Sequence, residues 1–340
     1  MKLLTWLLMG FVVVPAWAQS DEVSPSGRTF GVYVENDSRS VGGPGSDQGY
    51  SSGIKFSYLF AENNIPAWAN PALASMNILE QERKKSKSNF GFSMGHQIYT
   101  PNKTSTSEFI PNDRPYAAWL YLAFSAHFKT PTHGHYWELA TGIVGPEAQG
   151  ASVQNEFHRI IDSPRVNGWE HQLGTEPTLQ LSYQQRLKSF EIFQEQSRVF
   201  DVIPFYGAGF GNVLIAAHAG ALVRIGYHLP DDLGPTRPSP TGGDIFISPK
   251  RPGPQWDWSF YGFAGARGHA IARSLFLDGN TFRKSHSVKR YPFVGETEFG
   301  AAGEIGNWSL IWRFVTKTPE FEEKSRFNSF GSLTLSYTFL

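Results

Sequence analysis

The chain has 340 residues, 30 basic and 30 acidic side chains, and no cysteine. Balanced charge argues against a nucleic-acid partner, and the missing cysteines exclude disulfides, thiol catalysis and thiolate metal sites. Aromatic residues are abundant instead: 27 Phe, 13 Tyr and 10 Trp stand beside 34 Gly. That composition suits an outer-membrane barrel and equally a secreted sandwich, so the pattern along the chain has to decide.

Residues 1–18 read as a secretory signal. Lys2 supplies the positive start, Leu3 to Val14 the apolar run, and Ala16-Trp17-Ala18 the cleavage site. Residues 19–340 then read as one domain. No later window holds the roughly 18 apolar residues that a spanning helix needs.

Past the signal, apolar and polar residues alternate. Leu120, Leu122, Phe124, Ala126 and Phe128 interleave with Trp119, Tyr121, Ala123, Ser125 and His127. Trp308, Leu310, Trp312 and Phe314 interleave with Ser309, Ile311 and Arg313, and Leu333, Leu335, Tyr337 and Phe339 with Ser332, Thr334, Ser336 and Thr338. A period of two divides apolar from polar across a strand, as a lipid-facing wall around a polar interior requires. The pattern predicts strands near 28–37, 50–61, 88–99, 116–129, 133–144, 173–187, 198–210, 213–228, 256–271, 289–304, 306–317 and 329–339. Twelve is an even number, as a closed single-chain bacterial barrel requires. The expected fold is all-β, a transmembrane antiparallel barrel of about 12 strands in the bacterial outer membrane. Two periplasmic connections, 62–87 and 229–255, come out longer than the expected short turns.

One segment breaks the alternation. Val153 to Ile161 reads as a short helix in the extracellular loop 145–172, and Gln154 and His158, four apart, share one of its faces. Four other polar clusters fall at the same rim: Glu35-Asn36-Asp37, Tyr50-Ser51-Ser52-Gly53, Ile98-Tyr99-Thr100-Pro101 and Asn112-Asp113-Arg114-Pro115-Tyr116. Each has a plain structural reading. Asn36-Asp37 suits a turn start, Ser51 a lumen-facing hydroxyl, and Asp113-Arg114 an ion pair bracing two strands. His158 points most directly to chemistry, because histidine is the residue type most used for proton transfer near neutral pH. Oxygen donors would suit a hard cation such as Ca²⁺, with the glycine-rich stretch Gly42 to Asp47 able to wrap around one. Zinc is disfavoured, since no His pair has helical ligand spacing.

The clusters, with Gly145-Pro146, Val153-Gln154-Asn155, His158-Arg159-Ile160-Ile161 and Trp169, resemble the outer-membrane lipid A 3′-O-deacylase family (LpxR-like). The resemblance implies a twelve-stranded barrel that hydrolyses the 3′ acyloxyacyl ester of lipid A and requires Ca²⁺. It implies that His158 is the catalytic base, oriented by Asn36 and Gln154, with Asp37 and Ser51 on the calcium side. Lys103 is the nearest counterpart of the family's basic loop residue. Some members carry a glutamate six residues after the histidine; here Pro164 stands there, and Asp162 is the candidate replacement carboxylate. The expected partners are lipopolysaccharide as substrate and outer-membrane lipids, with a monomer as the expected state. Alternatives stay open: a Ser51 or Ser52 nucleophile, a glycerophospholipid substrate, or a passive porin or adhesion barrel.

Overall fold

A computed structural model describes residues 12–13, 27–37, 49–62, 86–194, 197–235, 237, 258–323 and 327–339. The signal segment apart from the backbone of 12–13, the glycine-rich stretch 42–47, and most of the two long connections lie outside the described residues.

Twelve strands form the wall: β1 Arg28–Asn36, β2 Gly49–Leu59, β3 Lys87–Thr100, β4 Ala117–Lys129, β5 His133–Val144, β6 Glu176–Leu187, β7 Ser197–Gly211, β8 Leu214–Tyr227, β9 Trp258–Ser274, β10 Phe293–Ile305, β11 Trp308–Lys317 and β12 Asn328–Phe339. Each pairs antiparallel with its sequence neighbours, and β12 returns to β1 in register from Gly331↔Asn36 to Phe339↔Arg28. The sheet is closed, so the wall leaves no unpaired edge in lipid. A five-residue strand, Phe190–Gln194, extends beside the foot of β7. β6 begins at Glu176 and β10 at Phe293, three and four residues later than the periodicity predicts, because their first residues belong to loops packed on the rim.

The alternation becomes inside and outside. Leu120, Leu122, Phe124, Leu333, Leu335 and Phe339 are exposed on the outer face, while Trp119, Tyr121, Ser332 and Thr334 are buried inside. The interior is filled rather than open. Lys55 meets Glu138 at 3.0 Å, Arg224 meets Asp201 at 2.6 Å, and Arg313 meets Glu298 at 2.7 Å. Charges held this deep must be paired to be tolerated.

The described part of the β8–β9 connection, residues 228–235 and 237, supplies more of the filling. It leaves the periplasmic end at Tyr227 and folds back into the barrel. Leu229 N–H donates to the Arg198 carbonyl at 2.9 Å, and Asp232 meets Arg224 at 2.5 Å. Arg186 donates to the Leu233 carbonyl at 2.7 Å, and Arg237 pairs with Glu296. Glu296 is in register with Lys317, the last residue of β11 at the opposite end. Residues 228–235 and 237 are therefore spread through most of the lumen, within the ~3.3–3.6 Å per residue that a chain can span.

Candidate active site between the outer wall and a helix

After β5 the chain leaves the wall through Gly145, whose φ of 105° only glycine takes readily. A 3₁₀ turn, Pro146–Ala148, leads into α1, Gly150–Ile160. The helix starts three residues before the predicted Val153. It ends where Asp162 turns left-handed at φ 52° and the Ser163 N–H donates to the His158 carbonyl at 2.8 Å.

α1 does not cap the mouth of the barrel. It lies against the outer face of β3 and β4. Ile98 and Ala118 are outward-facing strand residues, and they pack in one buried cluster with Tyr116, Ala148, Val166 and Trp169. His96, on the same outward row, bonds the Ala148 carbonyl at 2.7 Å. Gly150 permits this approach: a Cβ there would stand 2.5 Å from the Ala118 Cβ and 2.6 Å from the Trp169 ring.

At the same end of the wall, further polar groups face outward. Asn36 alternates with inward Glu35 and so points out from the end of β1. Thr100 shares the outward row of Ile98. Ser51 would point inward by simple alternation with Gly53 and Lys55. A β-bulge between Tyr50 and Ser52 makes it the extra residue, and its hydroxyl meets the Thr100 hydroxyl at 2.6 Å. Asp37, almost wholly buried, is tied to it through its N–H and the Ser51 carbonyl at 3.1 Å. Ser51 and Thr100 are thus joined through their hydroxyls, and buried Asp37 is held beside them along the backbone.

On α1, Gln154 and His158 are buried side by side, as their spacing predicts. His158 Nδ1 lies 2.5 Å from the Pro164 carbonyl oxygen. A carbonyl only accepts, so Nδ1 carries the proton and Nε2 holds the basic lone pair. Trp169 donates its indole N–H to Gln154 Oε1 at 3.1 Å, which fixes the amide with Nε2 at its other end. Pro164 and Trp169 are orienting residues that sequence reasoning assigns no such role. Trp169 belongs to the motif but carries no sign of its task there, and a backbone carbonyl such as that of Pro164 leaves no mark in sequence. Lys103 is exposed on the β3–β4 loop and Asp162 is exposed at the end of α1, so neither shares the burial of the group around Asp37.

The other rim clusters serve the lumen. Tyr50 donates to Glu35 at 2.6 Å inside the barrel. Asp113 and Arg114 do not pair by their side chains. Asp113 accepts from the Asn102 and Arg114 N–H groups at 2.6 and 2.8 Å, which fastens the loop. Arg114 instead meets Glu320 at 3.3 Å and lies over the Tyr99 ring. The clusters therefore divide between two faces of one wall, and on the outward face Ile98 is covered by the segment that carries α1. Among the described residues no three His, Asp or Glu side chains stand together as a metal site. Any cation here would rest on Asp37 with hydroxyl and carbonyl oxygens, a donor set that fits Ca²⁺ rather than zinc.

A closed outer-membrane barrel, filled inside and carrying its buried histidine on the outer wall, is a different kind of protein from an open porin. The family described as "Outer membrane protein LpxR" matches residues 3–339. The chain belongs to the LpxR family of outer-membrane proteins. Its fold matches LpxR from Salmonella typhimurium with a TM-score of 0.73 at 19% identity, over 92% of this chain and 100% of that one. The COG4313 outer membrane channel from Pseudomonas putida F1 aligns over 94% of this chain and 99% of its own, at 10% identity and a TM-score of 0.39. The autotransporter NalP translocator domain from Neisseria meningitidis aligns over 95% and 91%, at 9% and 0.36. No curated protein sequence matches.

Proposed function

We propose that this barrel is a lipid A 3′-O-deacylase in which His158 activates water. Family membership supports the deacylase class. The observation that carries the mechanism is the His158–Pro164 bond, which holds Nε2 as the basic nitrogen in a buried site on the lipid side of the wall. Nε2 takes a proton from water as the water oxygen adds to the ester carbonyl. The tetrahedral intermediate then collapses: the bond from the acyl carbon to the 3′ oxygen breaks, the proton passes to that oxygen, and the acyloxyacyl acid leaves. Gln154, its carbonyl end taken by Trp169, presents the amide N–H end as a donor for the developing oxyanion. Asp37 and Ser51 are the residues that would hold Ca²⁺, which when bound supplies positive charge beside that oxyanion. Asn36, outward at the end of β1, would help orient His158, Lys103 would reach in from its exposed loop to add positive charge at the oxyanion, and Asp162 is exposed at the end of α1.

Water rather than serine is favoured because the Ser51 hydroxyl is engaged with Thr100. A passive pore is disfavoured by the luminal ion pairs, which include Asp232 and Arg237 of the β8–β9 connection. The test is mass spectrometry of lipid A from a Gram-negative host making the wild type or His158→Ala, with purified wild type assayed with and without EDTA. Loss of the 3′ acyloxyacyl mass only for untreated wild type is expected. Unchanged lipid A with folded wild-type barrel would overturn the proposal, and fatty acid released from phosphatidylethanolamine instead would make the protein a phospholipase.

A further inference from the structure

We propose that α1 is an interfacial helix whose free apolar flank is embedded in the outer leaflet. Its surface divides into three sectors. Gly150, Gln154 and His158 face the wall and are buried. At 100° per residue, Ser152, Asn155, Glu156 and Arg159 fall together on one flank. Val153, Phe157 and Ile160 fall on the other, and they are 46%, 50% and 69% exposed. An apolar flank this bare, on an extracellular loop, is left uncovered by the described residues.

Two observations orient the flanks. Asn155, from the polar flank, exchanges hydrogen bonds with Val166 at 2.8 and 3.2 Å. The next residue, Asn167, donates its N–H to Thr104 in the β3–β4 extracellular loop at 2.9 Å. The polar flank therefore faces the extracellular loops, and the apolar flank faces the opposite way, down the wall. Below it, the outward row of β4 continues from Ala118, covered by Gly150, to Leu120 and Leu122, which are bare and lipid-facing. On β3 the same row runs from covered Ile98 and His96 to bare Met94. The apolar flank is thus continuous with the barrel's lipid belt, and the medium that meets the belt is the medium that meets the flank. A helix with charge on one side and bulky apolar groups on the other sinks ~5–10 Å into the boundary between headgroups and acyl chains. The outer leaflet is the occupant.

The chain has no cysteine, so a single introduced thiol labels cleanly. Phe157→Cys, Ile160→Cys and, as the polar-flank control, Ser152→Cys would each carry an environment-sensitive fluorophore. The full-length barrel would be reconstituted in phosphatidylethanolamine/phosphatidylglycerol vesicles containing lipopolysaccharide, with folding verified by heat-modifiable gel migration. The expected result is loss of fluorescence at 157 and 160 with nitroxide-bearing lipids, greater for a shallow than a deep nitroxide, and shielding from aqueous iodide. The label at 152 should show the reverse. Equal iodide access at all three positions would overturn the proposal. So would shielding from iodide without lipid quenching, which would mark a protein partner such as a second copy. The readout involves no catalysis and stands apart from the deacylase reading.

Discussion

Replacing Trp169 by Phe would isolate one hydrogen bond in the candidate site. The ring stays in the cluster with Ile98, Tyr116 and Ala118, while the N–H that Gln154 Oε1 accepts at 3.1 Å is lost. Both residues are buried, so the orphaned acceptor costs about 1–3 kcal/mol, or the amide turns to find another partner. If Gln154 donates to the oxyanion, the same loss appears in the barrier, where each ~1.4 kcal/mol is tenfold in rate. Trp169→Phe should therefore slow deacylation by about 5- to 150-fold, measured as release of the 3′ acyloxyacyl acid by purified barrel in lipopolysaccharide vesicles. A Gln154→Ala background separates positioning from general damage: there, Trp169→Phe should cost little more, because the two act as a unit. Wild-type rate in folded Trp169→Phe, or an equal loss in both backgrounds, would refute the reasoning.

His158→Ala should lower the rate by about 10²–10⁴-fold while heat-modifiable gel migration stays native; near-normal turnover would remove it as the base. Gly150→Val should lift α1 from Ala118 and Trp169, destabilising the helix on the wall by about 1–3 kcal/mol and raising hydrogen exchange over 150–160, and unchanged exchange would contradict the packing. Arg224→Met leaves buried Asp201 and its half-buried neighbour Asp232 without their cation, so unfolding in urea should report a loss of about 3–5 kcal/mol. The pH response of the β8–β9 connection has a definite sign. Asp231 is half-exposed, so partial desolvation only weakly opposes its ionisation, and Lys188 and Arg198 hold the carboxyl below its usual range. Its stabilisation is complete above the unfolded value, ~3.9, and is lost as pH falls through the depressed folded value. Proteolytic nicking of 228–235 should therefore stay slow at neutral pH and rise only in strong acid; nicking that rises as pH increases would have the wrong sign.

The wall was legible because alternation is a local consequence of the pleat. Leu120, Leu122, Leu333 and Leu335 declare their side of the sheet by parity, and the even strand count implies closure. The helix was legible for a similar reason, since Gln154 and His158 stand one turn apart whatever α1 packs against. Parity also explains what was hidden. Ser51 reads as lumen-facing until a one-residue bulge, set by its pairing with β3, carries it outward. The Asp113-Arg114 pair looked like an ion pair because neighbours in sequence are easily imagined as neighbours in space, whereas Glu320 arrives from the far side of the barrel.

By itself, then, the sequence determined the strands, their number, the outward apolar belt and the shared face of Gln154 and His158, all set by interactions within a few residues. Only the tertiary structure decided that α1 packs on the outer wall, that the Pro164 carbonyl and the Trp169 indole bond His158 and Gln154, that residues 228–235 and 237 enter the lumen, and that the apolar flank of α1 is left bare. Those outcomes depend on contacts between segments far apart in the chain, and no local period encodes which distant backbone will close over a given residue.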